Sequence, residues 1–336
     1  ANCFSVVWTG SVVMPRTMDG CIGLSTQDSM RLYVDDKLLI DGWGKDKSAD
    51  QALDFHFEAG RTYKIRIEFV NDRRGARVIF GYSAGRENFP AAVEAARKAD
   101  VAILCMGDNE ETSGENFDRT DLNLPGRQLE LVQAVYATGT PVVLVLQSGR
   151  PVTANWENDH LPAILEAWFP GEQGGTAIAK TLFGDAAPGG RLPITFPRSV
   201  GQIPCHYSRR PGGGKRYVEM DWLPLYPFGY GLTYTTFAYR DMALSRSVID
   251  PQDTVTVSVT VTNTGKYTGD AVPQLYVRDM FSSVVKPERQ LAAFRRLTLA
   301  PGESRRVELT VGPKQLRTLG PDYVWRVEPG KFELQL

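Results

Sequence analysis

Two apolar runs constrain this chain most. "VAILCMG" (residues 101–107) and "PVVLVLQSG" (141–149) are almost purely aliphatic, with no polar alternation. Such runs read as strands of a parallel sheet covered by helices on both faces. The neighbouring segments supply the helices. "PAAVEAARKAD" (90–100) has Pro90 suited to a first helical turn, and "LPGRQLELVQAVYATG" (124–139) ends at Gly139. "AILEAWFPG" (163–171) and "GGTAIAKTLFGD" (174–185) repeat the alternation. Residues 84–235 are therefore expected to form an α/β sandwich with a mostly parallel sheet.

The flanks follow a different period. From Phe4 to Ser83 come short segments rich in β-branched and aromatic residues, such as "FSVVWTGSVVM" and "YKIRIEF", with turns at Asp35-Asp36 and Ala59-Gly60. A β-sandwich or jelly roll over 1–83 is expected. After residue 235 the pattern returns. Val255, Val257, Val259 and Val261 alternate with Thr and Ser, and "APGES" and "EPGKF" mark turns. Residues 236–336 read as a fibronectin type III or immunoglobulin-like β-sandwich.

Composition excludes several roles. Lys plus Arg number 38 against 39 acids, so nothing argues for a nucleic-acid or anionic-membrane partner. No apolar run reaches the length of a membrane span. Cys3, Cys21, Cys105 and Cys205 lack metal-type spacing, and with three histidines and no HExxH a zinc site is not expected. Cys105 reads as a buried thiol, and Cys3 and Cys21 as residues that could pair across neighbouring strands. The opening "ANCFSVVWTG" lacks an initiator Met and enters mid-strand, as a processed or excised chain would.

The chemically suggestive segment is "GDNEETSGENFDRTDLNLPGRQ" (107–128), which leaves the carboxyl end of the first apolar strand. Ligand groups in α/β sheets collect there. Crowding Asp108, Glu110, Glu111, Glu115, Asp118 and Asp121 into one loop is costly unless solvent, a cation or a chemical task accounts for it. A solvated acidic loop is the plain alternative, and EF-hand spacing is absent. Other signals are weaker. Ser148 in "QSGRP" has no GxSxG elbow, and "PGEQGG" (170–175) no phosphate-loop lysine. "RRPGGGKRY" (209–217) reads as an exposed loop. His56 fits a sandwich surface, and His160 and His206 have no evident partners.

Several longer motifs, taken together, are specific. "GENFDRTDLNLPGRQLELVQAV", "PVVLVLQSGRPV", "AWFPGEQGGTAIAKTLFGDAAPGGRLPITFPRS" and "YPFGYGLTYTTF" resemble, in order, the C-terminal α/β-sandwich domain of glycoside hydrolase family 3. The closing sandwich resembles that family's fibronectin type III-like domain. "WTGSVV", "LSTQDSMRLYVDDKLLIDGW" and "AGRTYKIRIEF" resemble the protective-antigen-type β-sandwich that some members carry as an insert, here lacking its first strands. Gln27-Asp28 stands where some such modules hold calcium with an Asp-Asp pair, a departure from that pattern.

The resemblance implies a β-glucosidase, with β-xylosidase or a dual activity as the alternative. It implies an oligosaccharide substrate, no cofactor and a periplasmic or secreted setting, and it leaves homo-oligomerisation open. The family's acid/base motif, of the form "EGYDR", matches residues 115–119 here. Glu115 is thereby implied as general acid/base, with Asp118 and Arg119 supporting the loop and Asn116 in place of the usual glycine. Glu110 and Glu111 are the rival acids. The nucleophilic aspartate belongs to a (β/α)8 barrel, and nothing in this chain reads as eight βα units, so this stretch alone is expected to be inactive. Retaining hydrolysis needs two carboxyls roughly 5–5.5 Å apart and a proton donor with a raised pKa, which neighbouring carboxylates could supply. A different class of reading makes the chain a non-catalytic array of carbohydrate-binding modules, with exposed Trp43 as a stacking residue.

Overall fold

A computed structural model describes residues 3–26, 28–44, 49–71, 77–84, 89–212 and 216–336. The chain divides into two compact units, Ala1–Ala91 and Ala92–Leu336.

In the first unit, β1 (Phe4–Val13), β3 (Ser29–Val34), β4 (Lys37–Asp41) and β6 (Thr62–Asn71) form one antiparallel sheet in the order β1-β6-β3-β4. A second sheet contains β2 (Met18–Thr26) between β5 (Ala49–Phe57) and β7 (Val78–Ala84). Alternate residues of β6 (Tyr63, Ile65, Ile67) and of β3 (Met30, Leu32, Val34) meet Ile22, Leu24 and Phe57 of the other sheet in one buried cluster. Asp35 and Asp36 both have positive φ, 49° and 63°, as a two-residue hairpin with the twist of its strands requires. Cys3 and Cys21 are both free. Cys21 lies in the sheet that does not contain β1, and the pairing that the sequence left open is not formed.

Next in the chain comes the α/β layer: α1 (Pro90–Arg97), β8 (Ala102–Gly107), α2 (Gln128–Tyr136), β9 (Val142–Gln147), α3 (Asn155–His160), β10 (Ala163–Glu166) and α4 (Gly174–Leu182). The three strands are parallel, with β9 in the centre. Gly139 takes φ 83° just past α2, and its N–H bonds back to the Tyr136 carbonyl, as a glycine C-cap should. Ala92, Ala96, Val132, Val135 and Trp156 of the helices pack on Leu104, Met106, Val142, Leu144 and Leu146. That covers one face. β9 is buried along most of its length, but among the described residues β8 pairs only with β9 and leaves Ile103 and Cys105 exposed on the opposite face. The expectation of a doubly covered first strand and a buried Cys105 is corrected. An aliphatic run records a strand's preference, while its place at the sheet edge decides what covers it.

The closing sandwich comprises β11 (Phe237–Leu244), β12 (Val255–Asn263), β13 (Gly269–Ala271), β14 (Gln274–Asp279), β15 (Gln290–Phe294), β16 (Leu297–Leu299), β17 (Ser304–Val311), α5 (Pro313–Leu316), β18 (Thr318–Leu319), β19 (Trp325–Arg326) and β20 (Phe332–Gln335). Sheets β11-β12-β17 and β15-β14-β20 enclose a core with Val255, Val257, Val259 and Val261 buried in it. The extended segment before it is fastened on. The Thr235 hydroxyl donates to Asn263 Oδ1 at 2.6 Å, while Asn263 Nδ2 donates to the carbonyls of Tyr267 (2.8 Å) and Leu299 (2.9 Å). Gly229 has φ 82°, and a Cβ there would collide with the Gln274 side chain, whose Nε2 donates to the Gly229 carbonyl.

Asn263 is fully buried and satisfied on both ends of its amide. Asn263→Ala should therefore cost on the order of 3 kcal/mol, because it orphans a hydroxyl and two carbonyls at once. Urea unfolding followed by tryptophan fluorescence measures it, and an unshifted midpoint would contradict this account.

Candidate active site

The carboxyl ends of β8, β9 and β10 gather at one edge of the layer, where loops of an α/β fold hold their functional groups. Gly107 closes β8 with φ 139°, backed so tightly against Gln147 that a side chain would strike its carbonyl. The Gln128 amide brackets Gly107 from the far end of the loop, accepting its N–H at 2.7 Å and donating to its C=O at 2.8 Å. Both ends of the acidic loop are thus tied at one point.

Asp108 follows and is the buried carboxylate of the group, its side chain 3% exposed. Oδ1 lies 3.3 Å from Arg119 Nη1 and accepts the Thr112 hydroxyl at 3.0 Å. Oδ2 lies 3.3 Å from Arg150 Nε and accepts the Ser148 hydroxyl at 2.7 Å. Ser148 is completely buried, and its hydroxyl donates to the Asp108 carboxylate. Arg119 also reaches Asp121 and the Asn123 carbonyl, and Arg150 reaches the Thr112 carbonyl. These groups leave a void of only about 10 Å³, room for one water at most. Loop support therefore comes from Arg119 together with Asp108. Asp118 is exposed and makes no hydrogen bond or ion pair among the described residues.

What projects from this base is the turn Gly114–Phe117. The Phe117 N–H bonds to the Gly114 carbonyl at 3.2 Å, and Asn116 has φ 66°. A positive φ at the third residue is the mark of a type II turn, which glycine serves best and asparagine tolerates. Asn116 thus fits the position it fills. Glu115 occupies the corner, exposed, and its carboxylate makes no hydrogen bond or ion pair among the described residues. Glu110 and Glu111 are also exposed, on the turn that Asn109 and Thr112 organise. No group of three or more metal-binding side chains occurs among the described residues, and Gln27 of the Gln27-Asp28 pair lies outside them.

One acid at this edge escaped the sequence reading. Glu166 ends β10; its Oε1 accepts the Trp168 N–H at 3.0 Å, and Oε2 is buried with no hydrogen-bond partner among the described residues. Burial pushes its carboxyl up to about 7. The available signal was a lone acid closing an apolar strand. His160 is also better placed than expected, stacked on Trp156 at 4.3 Å with Nδ1 on the Trp156 carbonyl.

These features define a class: a parallel α/β layer that presents loop carboxylates at the carboxyl end of its strands and is fastened to a β-sandwich. Residues 15–234 match the glycosyl hydrolase family 3 C-terminal domain, and residues 271–336 match a fibronectin type III-like domain. The chain belongs to glycosyl hydrolase family 3. It is 46% identical to a "Beta-xylosidase" of Formosa agariphila over 82% of its own length and 39% of that relative's. It is 43% identical to the "Periplasmic beta-glucosidase" of Salmonella typhimurium (72% and 33%) and 35% identical to a "Beta-glucosidase" of Rhizobium radiobacter (98% and 44%). Among solved structures, a β-glucosidase from Kluyveromyces marxianus in complex with glucose superposes with a TM-score of 0.70 at 29% identity, over 99% of this chain and 43% of that one. The chain thus spans well under half the length of these curated relatives.

The Asp108 hub and Glu166 yield two predictions. Asp108→Ala strands two guanidiniums and should destabilise the α/β layer by about 3–5 kcal/mol in denaturant titrations, whereas Glu115→Ala should stay within about 0.5 kcal/mol. Equal effects would refute the hub. Glu166 holds its proton in the folded state up to about 7, whereas its ordinary value is 4.5. Stability should therefore fall as pH rises through that window and level off above it. Glu166→Gln removes this component, gaining up to roughly 3 kcal/mol on the native protein between pH 5 and pH 8. Parallel stability–pH curves for the two proteins would contradict the assignment.

Proposed function

We propose that this chain is the proton-handling part of a retaining glycoside hydrolase, with Glu115 as general acid/base. The carrying observation is an unpaired carboxylate at the corner of an exposed turn, set on a loop locked from beneath by Asp108, Arg119 and Arg150. In this reading Glu115 protonates the glycosidic oxygen as the leaving group departs, and its carboxylate then takes a proton from the water that attacks the glycosyl-enzyme. The aspartate that forms the glycosyl bond is supplied by a (β/α)8 barrel outside these residues, and the stretch described here is inactive without it.

The substrate assigned is a terminal β-D-glucoside, with β-xyloside as the alternative; relatives bearing both names support the pair. We read residues 1–83 as a protective-antigen-type insert, 84–235 as the α/β-sandwich and 236–336 as the fibronectin type III-like domain. Support for an insert comes from coverage. The Salmonella relative matches 72% of the chain, about the share held by Ala92–Leu336, whereas the Rhizobium relative matches 98%.

In the full-length enzyme, Glu115→Gly should reduce turnover of unactivated β-glucosides by at least about a thousandfold. Activated aryl glucosides should be less affected, and azide should restore their turnover by trapping the glycosyl-enzyme. Glu110→Gln and Glu111→Gln should stay near wild type. Near-normal hydrolysis by the Glu115 variant would reject the assignment, and the wild-type ratio on nitrophenyl β-glucoside and β-xyloside decides the sugar.

A further inference from the structure

We propose that the cleft between the segment preceding the closing sandwich and the sandwich itself binds a pyranose bearing an oxyanion, such as a uronate or a sulfated sugar unit. The proposal rests on the glycoside-hydrolase reading for its ligand class, and on the cleft's own chemistry for the rest.

The cleft has a volume of about 670 Å³, within the range of small-molecule sites. Three guanidiniums, Arg209, Arg278 and Arg289, face a single carboxylate, Glu288, among its walls. Arg209 Nε lies 3.0 Å from Glu288 Oε2, and Arg278 lies 3.6 Å from Glu333 beyond the cleft. Arg289 makes no ion pair among the described residues; its guanidinium sits 5.5 Å from the Tyr276 ring centroid. The cleft therefore carries uncompensated positive charge centred on Arg289. Its lining also includes the flat rings of Tyr207 and Trp222, the latter under the Arg209 guanidinium at 4.3 Å.

This is a built surface rather than a loose seam. Tyr207 stacks on Phe228 at 4.1 Å, and its hydroxyl accepts the Leu291 N–H across the cleft at 3.2 Å. The Glu288 N–H bonds to the Arg209 carbonyl at 2.8 Å, joining the same two walls. Neutral sugar hydroxyls need acceptors as well as donors, whereas guanidinium offers donors only, in a fork that fits carboxylate or sulfate oxygens. Aromatic rings beside such a fork suit the C–H face of a pyranose, while Arg289 takes its charge.

The test uses the full-length enzyme, with calorimetric titration of neutral xylotriose, glucuronate-substituted xylotriose and sulfated xylotriose. At least one anionic sugar should bind about tenfold or more tighter than the neutral one, weakening with salt. Which one does identifies the source of the oxyanion. Arg289→Gln should erase the preference, and Arg278→Gln should reduce it, keeping the test alive if the first variant folds poorly. Turnover of a neutral aryl glycoside should be unchanged in both variants. Equal binding of charged and neutral sugars, no binding of any, or a preference indifferent to both substitutions overturns the proposal. Failure of the wild type to hydrolyse any aryl glycoside would instead strike the functional reading and leave the anion measurement intact.

Discussion

The acidic edge of this protein depends on a carboxylate that is almost wholly buried. Burying Asp108 is costly, and a single counter-ion would repay that cost poorly. The structure surrounds it instead with two guanidiniums and two hydroxyls drawn from three places: Ser148 and Arg150 beyond β9, Thr112 at the first turn of the loop, and Arg119 further along. Each partner fixes one stretch of chain. Together with the Gln128 bracket on Gly107 and the Thr153 hydroxyl on Asn123, they hold residues 107–128 at both ends and the middle. The remaining loop carboxylates lie nearer the surface: Glu110, Glu111, Glu115 and Asp118 are exposed, and Asp121 pairs with Arg119. The crowding of acids in one loop thus resolves into one buried organiser and several solvated groups, which do not repel strongly once hydrated and screened.

That division also marks what could be read from the sequence. Periodicities report what a segment wants locally, and they served well: alternation along 255–261, aliphatic strands at 102–107 and 142–147, proline opening α1 and glycine closing α2. They do not report neighbours. An apolar strand suggests a buried Cys105, yet among the described residues β8 lies at the sheet edge and Cys105 is exposed. Cys3 and Cys21 looked like strand neighbours, and the order of strands in the two sheets separates them. The same limit governed the site. Glu115 and Arg119 stand in a motif and can be singled out from it as candidates. Asp108 differs from the acids around it mainly through distant contacts, 11 residues away with Arg119 and 40 away with Ser148, which no local pattern encodes. Glu166 was hidden because its distinguishing property is an environment.

Position and environment are separate requirements for a proton donor, and this structure divides them. The turn supplies position: a locked base, a left-handed Asn116 and a corner residue that faces outward. Environment is a matter of shielding, since a carboxyl keeps its proton near neutral pH when water is excluded or like charges crowd it. Glu166 shows this in the same fold, buried at the end of β10 with one oxygen lacking a hydrogen-bond partner among the described residues. If Glu115 is the acid/base, its shielding has to come from what covers the turn, namely substrate and a docked domain. Such an arrangement couples chemistry to assembly. On the proposed reading, Glu115 would remain a solvated surface group until a sugar and a nucleophile-bearing domain covered it, which would reserve proton transfer for the occupied site.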